Sequence, residues 1–286
     1  MNTVLENENI KITVSAAGAE LQEIINKQNG KNYSWNGETQ FWGRRSPVLF
    51  PFVGSLKNKE YSYKAQKYAM GQHGFARDMQ FKLLETTEKS VWYELKSTSE
   101  TLEKYPFEFS LKIGYELVGN SIKVKWKVEN KDTKTMYFSI GAHPAFVVPV
   151  EEREDCWIKF DKNGNLGNTR LENGLANTKN EIQTQDGYLK IDKDLFKYDA
   201  LIFENNQVKE VSLCAPDKTE FVTVKFESPL VGIWSPYKEN CPFVCIEPWY
   251  GRCDSFDFDG ELQDRQWQQK LEVGESFESE YEIIIG

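Results

Sequence analysis

The sequence predicts an all-β chain folded as a large antiparallel β-sandwich. Apolar residues recur with period two in segment after segment, and polar turn residues separate those segments. Stretches with a helical period of 3.6 are short and few.

In chain order, Ser90–Ser97 turns Val91, Tyr93 and Leu95 to one side. Phe107–Val118 does the same with Phe109, Leu111, Ile113 and Tyr115. Ser121–Glu129 is the clearest case. Ile122, Val124, Trp126 and Val128 share one face, and Lys123, Lys125 and Lys127 share the other, as in an antiparallel strand with one wet side. Gly119-Asn120 between these two runs predicts a tight turn. Glu220–Glu227 and Glu275–Ile285 repeat the alternation. Gly260–Lys270 is expected to form a helical turn or two, and the polar stretch Asp161–Asp186 a long solvated loop. No Pro/Ser-rich linker and no fixed-period repeat divides the chain, so residues 1–286 read as one domain.

Composition narrows the function. Hydrophobic residues make up 40% of the 286 positions, enough for a substantial core, and aromatics at 14% favour strands and a ring-lined cleft. The net charge of −9 argues against a nucleic-acid partner. No run approaches the roughly 20 apolar residues that span a bilayer, so no membrane partner is expected. The five cysteines are odd in number, and the opening residues carry neither a basic nor an apolar leader pattern, so a reduced, cytoplasmic setting is expected. Cys241, Cys245 and Cys253 lack zinc-motif spacing and have no histidine near them in the sequence, so no metal is expected.

Only two histidines occur, and each sits in a dense motif. His73 lies in Gly71-Gln72-His73-Gly74-Phe75-Ala76-Arg77, and His143 in Ser139-Ile140-Gly141-Ala142-His143-Pro144-Ala145-Phe146. A third motif embeds a carboxylate, Cys245-Ile246-Glu247-Pro248-Trp249-Tyr250-Gly251-Arg252. Two imidazoles, a carboxylate and clustered aromatics suggest acid/base chemistry on a polar, ring-shaped substrate.

Together the motifs resemble the aldose 1-epimerase, or galactose mutarotase-like, superfamily, and best its LacX-like and hexose-6-phosphate epimerase-like members. The resemblance runs in order through Gly18-Ala19-Glu20-Leu21, Arg45-Ser46-Pro47-Val48-Leu49-Phe50-Pro51, the histidine motifs, Tyr198-Asp199-Ala200-Leu201-Ile202-Phe203 and the Glu247 motif. It implies the galactose mutarotase-like supersandwich and a cofactor-independent isomerase that interconverts the anomers of an aldohexose. The implied partner is a small-molecule sugar; the sequence leaves the sugar and the number of assembled chains open. The resemblance also implies His143 as general acid, Glu247 as general base, His73 near the ring oxygen, and Asp199 on sugar hydroxyls.

Gln72, Arg77 and Arg45 resemble the substrate-binding shell of the hexose-6-phosphate epimerases, where a 6-phosphate would sit, and Arg77 reads first as a structural ion-pair partner beneath the site. Ser55 stands where relatives often carry a basic residue. Among Trp35, Trp42, Trp234, Trp249 and Tyr250, the last two are the favoured stacking surfaces because they follow Glu247. The mutarotases proper typically place Asn before the second histidine, where Ala142 stands, and Thr-Gln after the glutamate, where Pro248-Trp249 stands. Reaction type therefore carries over further than substrate identity. A hexose-6-phosphate 1-epimerase and a non-catalytic carbohydrate-binding protein are the alternative readings. The acid/base pair is expected to face across a cleft with room for one pyranose ring between its members.

Overall fold

The computed structural model describes residues 2–286. Two large antiparallel sheets dominate it. The first has nine strands, in the order Tyr188–Lys190, Trp157–Phe160, Glu210–Cys214, Glu220–Phe226, Ser276–Ile285, Ser121–Asn130, Phe109–Val118, Ser90–Lys96 and Lys82–Thr86. The second has eight. Seven run Leu175–Gln183, Asn165–Glu172, Leu201–Phe203, Leu230–Trp234, Phe243–Tyr250, Ile140–Ala142 and Val48–Leu49, and the short strand Ala145–Val147 also pairs with Phe243–Tyr250. Among the described residues the one α-helix is Ser99–Lys104, and no helix is long and apolar enough to cross a membrane.

The predicted strands form where the alternation places them. Phe109–Val118 and Ser121–Asn130 pair in register across Gly119-Asn120, and Gly119 takes the positive φ of 59° that this two-residue turn needs. Ile122, Val124, Trp126 and Val128 are buried, while the lysines between them pair outward with Glu278, Glu280 and Glu116. Inner-face residues of both sheets, such as Leu111, Val124 and Ile283 from one and Val231, Ile233, Val244 and Ile246 from the other, meet in a single hydrophobic cluster.

One expectation is corrected. Asp161–Asp186 is not a loop: it holds the strands Asn165–Glu172 and Leu175–Gln183, which pair as a hairpin. Both faces of this arm are largely polar, so the pattern that marks a half-buried strand is missing. Its signature was the dipeptide Asn173-Gly174, whose φ values of 52° and 78° suit a tight hairpin turn. Gly260–Lys270 has one helical turn, as expected. It holds a 3-10 turn at Leu262–Asp264 and enters a short strand at Gln269–Leu271.

The central strand Phe243–Tyr250 sorts its side chains between two environments. Val244, Ile246 and Tyr250 face the main core, and Phe243, Cys245 and Trp249 pack in separate clusters on the opposite face. Where the chain leaves this strand, a buried ion network holds it. Arg265 donates from Nε to Asp254 at 2.7 Å and from a terminal nitrogen to the Arg252 carbonyl at 2.9 Å. Arg252 in turn donates from Nε to Glu204 at 2.7 Å. The second Asp254 oxygen accepts from the Lys57 amide, and the Asp254 amide donates to the Ser55 carbonyl, which ties the 53–57 loop to the strand exit.

Asp254→Ala would leave the Arg265 guanidinium buried and unpaired. It should lower the unfolding free energy by about 3–5 kcal/mol, read from urea denaturation. A loss under about 1 kcal/mol would contradict the bracing role.

Candidate active site

Strand register brings His143 and Glu247 together. Ile140 pairs with Tyr250 and Gly141 with Trp249, and four residues on Ala145 pairs with Cys245. The same register sets His143 opposite Glu247, at the point where Pro144 and Pro248 interrupt the ladder. Directly opposed residues on antiparallel strands share a face. Accordingly His143 Nε2 lies 3.3 Å from Glu247 Oε2, with both side chains more than nine-tenths buried. The expected gap of one pyranose ring between them is not observed. The pair forms one floor, and a ligand would lie over it.

Above this floor opens a cleft of about 330 Å³, small but within the usual range for small-molecule sites. His73, His143, Glu247, Asp199, Arg77, Gln72 and Trp249 all line it. His73 is fixed from two sides: its amide donates to the Gly54 carbonyl at 2.9 Å, and its Nδ1 accepts from the Gly54 amide at 3.1 Å. A neutral His73 therefore carries its proton on Nε2, which remains as a donor toward the cleft. Asp199 sits exposed at the rim with φ 72°, its carboxylate accepting from the Ala200 amide. Trp249 donates from its indole to the Ala142 carbonyl at 3.2 Å. Its ring lies so close to Gly232 and Gly141 that a Cβ at either would come within 2.4–2.5 Å of it. Only glycine at both positions lets the indole lie flat.

Two expected binders lie elsewhere. Arg45 is not in the cleft: its guanidinium donates to the Gln22 carbonyl at 2.9 Å, and its amide bonds to Glu20. Tyr250 faces the main core and accepts from Ser279, since it is one residue out of phase with Glu247 and Trp249. Conversely, Trp42 and Trp234 have a larger part than expected. Trp42 stacks on His143 with centroids 4.6 Å apart, and Trp234 meets the imidazole edge-on at 5.4 Å. The hairpin arm contributes Leu171 and Gly174. The period-two rule applied outward from Glu247 points to Trp249; nothing in the local sequence marks Trp42, which arrives on a loop.

Burial dominates the electrostatics. Desolvation raises the Glu247 pKa well above the ordinary carboxylate value, nearby Asp199 adds to the rise, and the Trp249 indole opposes it. Desolvation lowers His143 to about 3, helped by the positive charges of Arg77 and Arg44. His73 is lowered for the same first reason, with His143, Arg77 and Arg44 adding to it. The empty site therefore favours an un-ionised pair, with the single proton on Glu247. Arg77 is pushed down to about 10 by burial and by Arg44; its terminal nitrogen donates to the Gln72 carbonyl at 2.7 Å, and its Nε makes no hydrogen bond but lies 3.9 Å from Asp78 Oδ2, an ion pair beside the site. Arg44 is committed to Asp78 at 2.9 Å.

Comparison with known proteins bears on the whole chain. The aldose 1-epimerase family model matches residues 1–283. The plasmid-encoded protein LacX of Lactococcus lactis subsp. lactis is 30% identical over 299 aligned positions, which cover 100% of this chain and 99% of LacX. A galactose mutarotase related enzyme from Lactobacillus acidophilus superposes with a TM-score of 0.95 at 36% identity, covering 100% of this chain and 97% of that one. A galactose mutarotase-like protein from Lactobacillus casei superposes with a TM-score of 0.93 at 27% identity, with both chains fully covered. Fold, match and likeness converge: the chain belongs to the aldose 1-epimerase family.

Proposed function

We propose that this chain is an aldose 1-epimerase that interconverts the α and β anomers of an unphosphorylated aldohexose. The observation that carries this reading is the cross-strand pair His143–Glu247 on the floor of a sugar-sized cleft. Anomer exchange needs one proton taken from the anomeric hydroxyl and one delivered to the ring oxygen. The ring opens to the aldehyde, the C1–C2 bond turns, and closure on the other face reverses both transfers. A pair holding one proton between two adjacent groups can do both without a cofactor.

In the direction implied by the family, Glu247 is the base and His143 the acid. The empty site stores the proton on Glu247, so it must pass to His143 before reaction. Sugar hydroxyls donating to Glu247 favour its ionised form and drive that shift across 3.3 Å. His73 Nε2–H then faces the ring oxygen, Asp199 accepts from hydroxyls at the rim, Gln72 adds a polar contact, and Trp249 supplies a flat surface for the sugar's apolar face. The continuous core from Leu5 to Ile285 supports residues 1–286 acting as one domain. Five buried, unpaired cysteines support a reducing, cytoplasmic setting.

The same residues bear on phosphate. One guanidinium, Arg77, lines the cleft; Arg45 points away and Arg44 is paired with a carboxylate. Asp199 shares the lining, and its carboxylate disfavours a dianion. The Nε of Arg77, buried without a hydrogen bond and only loosely paired with Asp78 at 3.9 Å, is the feature that favours a 6-phosphate as the second reading.

Exchange NMR on glucose and galactose tests the activity. His143→Ala and Glu247→Gln should each cut kcat by about 10²–10⁴-fold with a smaller change in KM. Near-parental turnover in Glu247→Gln would refute the assignment, and saturable sugar binding without exchange in the parent would make the protein a binder. For substrate class, the parent should show higher kcat/KM on free glucose or galactose than on glucose 6-phosphate. A preference for the phosphate that collapses in Arg77→Ala would overturn that choice.

A further inference from the structure

The alternation that sets Glu247 beneath the cleft also sets Cys245, two residues earlier, on the same face. His143 comes from the neighbouring segment, so the histidine missing from the cysteine-rich stretch of sequence is supplied by strand pairing. One donor atom from each of His143, Cys245 and Glu247 lies within 4.8 Å of the others, and all three residues are buried. Glu247 Oε2 makes no hydrogen bond and has only the His143 Nε2 contact at 3.3 Å, and His143 Nδ1 has no hydrogen-bond partner. Buried polar atoms without hydrogen bonds are uncommon and need an explanation. A carboxylate oxygen left so, beside an imidazole and a thiol, marks a place where an ion would gain three donors.

We propose that His143, Cys245 and Glu247 form a binding site for a thiophilic divalent cation of the Zn²⁺ class, and that an ion there blocks sugar interconversion by occupying the proton-transfer pair. One nitrogen, one sulfur and one oxygen donor suit Zn²⁺, whereas Mg²⁺ and Ca²⁺ take oxygen ligands. Zinc bonds of about 2.0–2.3 Å set tetrahedral donors roughly 3.3–3.7 Å apart, so the cluster need contract by at most about 1.5 Å. The balance of charge is favourable. The thiol proton and the one proton of the His143–Glu247 pair leave to water as the dication enters, so the buried cluster gains no net charge. His143 and Glu247 line the cleft, which gives the ion its route and leaves the fourth coordination position for water or a sugar hydroxyl. Binding is independent of the epimerase reading; only the inhibition rests on it.

Titration of the intact protein with Co²⁺, followed by absorbance, tests the site. The expected result is saturation at one ion per chain, tetrahedral ligand-field bands and a thiolate-to-metal charge-transfer band. Zn²⁺ should displace the Co²⁺ and abolish the spectrum. Cys245→Ala should lose the charge-transfer band and bind more weakly by at least the roughly 10–100-fold that loss of a mere outer-shell partner costs; Cys245→Ser serves if the alanine variant does not fold. In exchange NMR, Zn²⁺ should slow the parent in step with its occupancy, and the Cys245 variant should be insensitive at the same concentration. A parent with no saturable Co²⁺ spectrum, or a charge-transfer band that persists without Cys245, overturns the site. Saturable binding with unimpaired exchange overturns the inhibition and leaves the epimerase reading intact. A parent with no exchange at all, yet with the Co²⁺ spectrum, overturns that reading and keeps the site.

Discussion

The pairing register between the His143 segment and the Phe243–Tyr250 strand is the constraint on which the site depends. It puts an imidazole and a carboxylate on one face, at the same level, with proline on each strand ending the ladder beside them. A slip of one residue would bury Glu247 in the main core and turn Ile246 to the cleft. The apolar inner faces of the two sheets oppose that slip, because Val244, Ile246, Val231 and Ile233 have nowhere else to go. Core packing and site geometry are thus two readings of one alternation.

Desolvation then gives the pair its chemistry. Trp42 stacks over His143, Trp234 closes its edge, and Trp249 lies flat beside Glu247 on the space that Gly141 and Gly232 leave. In water the carboxylate would ionise and the imidazole would titrate near neutrality. In this enclosure both charged forms are disfavoured, and a single proton held between neighbours is the low-cost state. The buried network through Arg252, Asp254 and Arg265 supports the same floor from behind, since the loop it ties down carries Gly54, the partner of His73.

Most of the fold was legible because its strands have one wet face. Ser121–Asn130 showed its environment in its lysines. The Asn165–Gln183 arm did not, since polar residues on both faces remove the contrast that periodicity measures. The candidate site was legible where chemistry is concentrated in short motifs around His73, His143 and Glu247. It was not legible where loops and cross-strand neighbours decide. Arg45 opens a family motif yet is spent on the Gln22 carbonyl, and Trp42, three residues earlier, covers His143. Cys245 gains its histidine only through strand pairing.

The most direct measurement follows from the composition. With only two histidines in the chain, ring-nitrogen NMR of ¹⁵N-histidine-labelled protein gives two resolvable spin systems. A folded-state pKa lowered below the ordinary value means that the neutral form persists as pH falls past 6.5 and is lost only toward the lowered value, about 3 for His143. The shared-proton pair therefore predicts His143 neutral throughout pH 5–8 in the sugar-free protein, with an upward shift in its protonation when a sugar binds over Glu247. A His143 imidazole that titrates near 6.5 in the empty, folded protein, unmoved by sugar, would contradict it.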